Sequence, residues 1–223
     1  MNPQVTTIDR SQSAVSSTNK VLRNTYMLLS MTLLFSAAAA GLSMALNVPY
    51  IVSLGTSIAA LILLWFVVPR TANSSTGIFV VFGITGLLGF GLGPMLNHYL
   101  ALPNGPQVVM MAMGGTATIF LGLSAYVLTT RKDFSFMGGF LMVGILLAFL
   151  AGLGAIFFQI PALSLTVSAA FVLLMSGLIL YETSNIIHGG ETNYVLATVT
   201  LFVSIFNLFT SLLQLLGFMN GDD

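Results

Sequence analysis

The sequence predicts an all-α integral membrane protein, a bundle of seven transmembrane helices with six arranged around a central seventh. Three observations predict it. Of 223 residues, 57% are hydrophobic and only 5% are charged, and no soluble domain of this size covers its surface with so few charges. The apolar residues fall into seven segments, each with the roughly 20 residues that a helix needs to cross a bilayer. The last segment carries a polar stripe that is costly to expose to hydrocarbon, so neighbouring helices should enclose it. The net charge of zero argues against a nucleic-acid partner, and the lack of cysteine excludes disulfides, thiolate catalysis and cysteine metal sites.

Residues 1–25 are polar and rich in Ser, Thr and Asn, with Asp9, Arg10, Lys20 and Arg23. No short apolar core sits near the start, so no cleavable signal is expected. The segment reads as a soluble, mobile, cytosolic tail. The transmembrane domain spans 26–219. Its first segment, 26–46, places Ala37, Gly41 and Ala45 on one face, a spacing that suits close helix contact. The second is 48–68. The third, 77–100, carries the G-x-x-x-G pair Gly89 and Gly93, and Pro94 should kink or break it. The fourth, 106–129, repeats the small-residue pattern with Gly114, Thr118 and Gly122. The fifth is 134–158. The sixth, 160–188, stops at Gly189 and Gly190. The seventh is 193–217, and 220–223 form an external carboxyl terminus.

The connections set the orientation. Arg10, Lys20 and Arg23 precede the first segment, Arg70 follows the second, and Arg131 and Lys132 follow the fourth. The alternate loops, around residues 47–49, 98–106 and 159–161, hold no Lys or Arg. All six basic residues thus lie on one side, which positive-inside assigns to the cytosol.

In the seventh segment Asn193, Thr200, Ser204, Asn207, Ser211 and Gln214 recur every three, four or seven residues. At roughly 100° per residue they fall within an arc of about 80°. Two readings stay open. The stripe is interhelical glue, worth roughly 0.6 kcal/mol per hydrogen bond, or it lines a polar cavity.

Glu182 stands nearly two turns inside the sixth segment, about 9 Å from its cytosolic end. An acid at mid-bilayer costs roughly 2.5–3.5 kcal/mol, and less near the edge, so it is neutral part of the time or has a partner. Thr200 should lie at a similar depth, Ser204 one turn deeper, and Arg70 is near enough to swing toward the same place. Glu182 is either an interfacial acid reaching for water or a proton- or cation-responsive carboxylate at the inner mouth of a cavity. His188 and Glu191 are too few for a metal site and read as a solvated loop. His98 reads as an interfacial ring, and Arg131-Lys132-Asp133 as a topogenic turn. No Ser–His–Asp, paired-carboxylate or phosphate-loop arrangement supports an enzyme, and no cofactor is implied.

Several stretches together resemble the Bax-inhibitor (TMBIM) family of seven-helix membrane proteins. They are Gly91-Leu-Gly-Pro-Met-Leu96, Gly114-Gly-Thr-Ala-Thr-Ile-Phe120, Arg131-Lys-Asp-Phe-Ser-Phe136, Tyr181-Glu-Thr183 and Leu201-Phe-Val-Ser-Ile-Phe-Asn-Leu-Phe209. The resemblance implies six helices around a central seventh. It also implies two activities. Some members behave as pH-sensitive calcium leak channels, in which an acid on the sixth helix pairs with one on the last and an arginine near the third can exchange onto them. Glu182 matches the first acid and Arg70 lies near the basic position, but Ser204 stands where the second acid is expected. A lone carboxylate cannot share a proton with a neighbour and offers a divalent cation one ligand group instead of two. The serine and the run around it are closer to the YccA-like bacterial branch. That branch is described as inner-membrane partners and modulators of the FtsH-type ATP-dependent membrane protease. Such a protease pulls on cytosolic tails, so residues 1–20 would serve as handle or inhibitor.

Overall fold

The apolar stretches run for 20 residues or more, about twice what a membrane strand needs, and in a bilayer a helix satisfies every backbone polar group within its own segment. Both conditions favour helices. The computed structural model describes residues 3–220, with side chains from residue 17 onward. Seven helices are long and apolar enough to cross a membrane. They are α1 (Pro3–Ala45), α2 (Tyr50–Thr71), α3 (Thr76–Leu100), α4 (Gly105–Thr130), α5 (Gly138–Phe157), α6 (Pro161–Ile187) and α7 (Tyr194–Asn220). A π-helical turn, Leu63–Val67, lies inside α2, and a 3-10 turn, Ser135–Met137, leads into α5. The expected external residues Asp222 and Asp223 lie outside the described residues.

Two segments depart from the expected layout. The polar tail is helical from Pro3, and α1 runs unbroken for 43 residues. No Gly or Pro occurs between Gln4 and Ala40, so nothing stops the helix once the apolar span has nucleated it. In α3 the helix continues through Pro94 to Leu100, so the proline does not break it. Near the proline, the Ser53 hydroxyl of α2 donates to the Gly91 carbonyl.

Local chemistry explains the ends. Proline is the second residue of α4 and the first of α6, in the first turn, where the missing N–H costs nothing. Arg131 closes α4 in the left-handed region at φ 50°. Asn193 caps α7: its Oδ1 accepts from the N–H groups of Val195 at 2.9 Å and Leu196 at 3.3 Å. Expected as the first member of the stripe, Asn193 precedes the helix instead.

α7 is the most buried of the seven spans. α1, α3, α4 and α6 pack along it, whereas α2 lies against α3 and α5 against α6, one layer further out. The centre is as expected, but only four helices form its first shell. The outer two are the most apolar and among the least buried spans, so lipid solvates them at little cost. Leu29, Val81, Ile84, Ile179, Leu201 and Phe202 are buried together in the main core. The α1–α3 contact is tight at Gly89, which lies over the Ser36 backbone, and at Gly93, which lies over Ser43. The other small-residue patterns make no such approach. A side chain added at Gly41, Gly114 or Gly122 would meet open space. Spacing shows that small residues share a face, not that a neighbour covers it.

Candidate functional site

The antiparallel order of the helices sets two ends. At one lie Lys20, Arg23, Arg70, Arg131 and Lys132, with the start of α1 and the ends of α4 and α6. Glu182 is close to this end, five residues before Ile187, about 7.5 Å along the axis. Its side chain is 5% exposed, and Oε1 is buried with no hydrogen-bond partner among the described residues. Thr25 and Tyr26 of α1, Ser124 of α4 and Thr183 of α6 also hold buried hydroxyls without partners there. Ser124 and Thr183 sit within two turns of the ends of α4 and α6, and Thr25 and Tyr26 follow Arg23 by two and three residues. Only Ser43, near the far end of α1, belongs to the same class elsewhere among the described residues. Unpaired buried polar atoms are costly and rare in a finished interior, so their presence on three helices towards the end that holds Glu182 marks this part of the core. Sequence reasoning found Glu182 but not Thr25, Tyr26 or Ser124. Counting inward from the ends of neighbouring helices was the one signal that could have found them.

Arg70 is not brought to Glu182. It is exposed, and its guanidinium donates to the Phe66 carbonyl one turn back on its own helix. The loop after α2 is tied to α7 by Asn193 instead, whose amide donates to the Ala72 carbonyl at 3.0 Å and to Asn73 Oδ1 at 2.8 Å. Glu191 accepts from the Asn193 N–H at 2.6 Å. Across the same end, Ser184 anchors the turn between α4 and α5. Its hydroxyl accepts from the Phe134 N–H at 2.9 Å and donates to the Lys132 carbonyl at 3.2 Å. His188 Nδ1 lies 2.9 Å from the Ser184 carbonyl. Within the turn, the Ser135 N–H holds the exposed Asp133 carboxyl below the usual carboxylate range, helped by the Ser135 hydroxyl and by His188. Among the described residues no group of three or more His, Cys, Asp or Glu is placed to hold a metal.

The stripe on α7 divides. Ser204 is fully buried and donates to the Thr200 carbonyl at 2.7 Å; Thr200 is half-buried beside it. Towards the other end, Asn207, Ser211 and Gln214 line a cavity of about 290 Å³. Gln214 is also glue: its amide donates to Ser164 Oγ at 2.6 Å, and its Oε1 accepts from Ser168 Oγ at 2.7 Å, both on α6. Gln214 thus both lines the cavity and bonds to α6, whereas Ser204 bonds only within its own helix.

Fold and site define a polytopic helical membrane protein with a buried intramembrane acid beside its enclosed last helix. The chain belongs to the Bax inhibitor family: the family described as inhibitor of apoptosis-promoting Bax1 matches residues 18–221. Its relatives include the Escherichia coli K12 protein named modulator of FtsH protease YccA, 53% identical over 95% of both chains. Another, from E. coli O6:H1, is named inner membrane protein YccA, at the same identity and coverage. A Vibrio cholerae membrane protein is 49% identical over the full length of both chains. These relatives are named as a modulator and as membrane proteins, not as enzymes.

Proposed function

We propose that this protein is a bacterial inner-membrane modulator of an FtsH-type ATP-dependent protease, one that binds the protease and limits degradation of its other membrane substrates. The observation that carries the reading is the 53% identity, across 95% of both chains, to the protein named for that role. Two features support it. The basic residues with described side chains, Lys20, Arg23, Arg70, Arg131 and Lys132, lie at one end, which positive-inside puts in the cytosol, where such a protease works. The long helical lead of α1, from Pro3, projects from that same end and offers the protease a handle or an inhibitory segment. Degradation of a reporter membrane substrate by the membrane-embedded protease should slow when this protein is present. Deleting residues 1–20 should restore most of the rate. An identical rate with and without the full chain refutes the reading.

A second reading is favoured by one observation, the buried Glu182 side chain whose Oε1 has no partner among the described residues. It makes the protein a proton- or cation-responsive leak, for calcium among other ions, with Glu182 at the cytosolic mouth and Ser204 in the place of a second acid. Calcium-loaded liposomes holding the purified protein should leak at a rate that depends on pH, and Glu182→Gln should flatten that dependence. Ser204→Asp should increase sensitivity to divalent ions. A leak equal to that of protein-free liposomes ends this reading.

A further inference from the structure

The cavity beside α7 lies in the half of the bundle away from Glu182. Its walls are of two kinds. α5 supplies Phe149, Leu153 and Ile156, while α6 and α7 supply hydroxyls and amides. No charged side chain lines it, which rules out an ionic ligand held by counter-charge. At about 290 Å³ it approaches the lower end of small-molecule sites, about 300–1,000 Å³.

Access is lateral. α5 packs along α6 and not along α7, and Phe149, Leu153 and Ile156 are between 47% and 75% exposed on a membrane-spanning helix. The cavity therefore borders the lipid. Its polar groups near the helix ends have a particular chemistry. Gln214 spends one amide N–H on Ser164, and Ser164 Oγ only accepts in that bond. The second Gln214 N–H and the Ser164 and Ser211 hydroxyl protons donate to no described residue. Ser164 lies three residues from the start of α6 and Gln214 six from the end of α7, about 5–9 Å inside the helix ends. Ser211 lies nine residues from the end of α7, about 13.5 Å inside, and the deeper Asn207 keeps a free Oδ1 among the described residues. The spare groups of Ser164 and Gln214 at the shallower depth are donors, which match a group rich in acceptors.

We propose that this cavity binds a membrane phospholipid through its ester carbonyls. The carbonyls accept from Gln214, Ser164 and Ser211, one acyl chain lies along Phe149 and Leu153, and the charged headgroup stays at the surface. The site is independent of Glu182 and of any protease contact.

The probe is phosphatidylethanolamine with a diazirine in one acyl chain, in ester-linked and ether-linked forms, photolysed in vesicles containing the full-length protein. The ether form keeps chain and headgroup but lacks the carbonyls. The ester probe should label peptides covering 149–156 and 207–214 at least fivefold more than the lipid-facing span Tyr50–Thr71, and at least threefold more than the ether probe does. Gln214→Leu should remove the ester preference and leave labelling of Tyr50–Thr71 unchanged. Ser211→Val, a smaller change, should reduce the preference if Gln214→Leu fails to fold. Labelling of the cavity peptides no higher than that of Tyr50–Thr71 means annular lipid only and overturns the proposal. Equal labelling by ester and ether probes, or a preference unchanged in the variants, also overturns it.

Discussion

Glu182 and Ser204 set the character of the basic end, one as an acid whose buried Oε1 has no partner among the described residues, the other as a hydroxyl that spends its proton on its own helix. A buried carboxylate that gains nothing from its surroundings weighs on stability. Glu182→Gln keeps the shape and removes the charge. It should leave stability unchanged or raise it, by at most about 2.5 kcal/mol, read as the unfolding midpoint in mild detergent near neutral pH. A loss above about 1 kcal/mol would reveal a partner for the acid. Glu182 was legible in the sequence because an acid between apolar residues stands out and Gly189-Gly190 fix its depth. Tyr26 and Ser124 were not. A single hydroxyl in an apolar span is ordinary, and its meaning arises only when three helix ends meet. The position of Arg70 was legible but its reach was not, because a long side chain one turn beyond a free carbonyl can satisfy itself locally.

Among the elements, α1 and α3 form the closest pair, and two glycines set their distance. A Cβ at Gly89 would lie 2.8 Å from the Ser36 carbonyl carbon, and one at Gly93 would lie 2.9 Å from the Ser43 carbonyl carbon. Both are backbone contacts that cannot rotate away. Gly93→Val should cost about 1–3 kcal/mol or more through overpacking, seen as a lowered unfolding midpoint. Gly41→Val, on the same α1 surface pattern but facing open space, should be within about 0.5 kcal/mol of the parent. Equal losses at both positions would contradict the contact. The number of spans was legible, since length and hydropathy decide it. The pairing of their faces was not. Gly89–Gly93 and Gly114–Thr118–Gly122 look alike as strings, yet only the first has a helix backbone against it. Nor was the helical lead of α1 legible, because Ser, Thr and Asn signal a loop unless a stable helix already runs into them.

For the whole molecule, the distribution of charge implies an orientation, and the function proposed first depends on it. Helices of about 25 residues separate the two ends by about 37 Å. The loop after α2, with exposed Ser75, lies at the basic end; the loop after α3, with exposed Asn104, lies at the other. The chain has no cysteine, so one introduced thiol reports alone. In intact cells a membrane-impermeant maleimide should label Asn104→Cys and spare Ser75→Cys until the membrane is opened. The lead of α1 then lies on the side where an FtsH-type protease draws in its substrates, and the ester-binding cavity opens to the outer leaflet. The opposite labelling pattern would put that lead outside, beyond the reach of cytosolic ATP-driven unfolding. The protease reading would then have to work through the membrane spans alone, and deletion of residues 1–20 would no longer be expected to change the degradation rate.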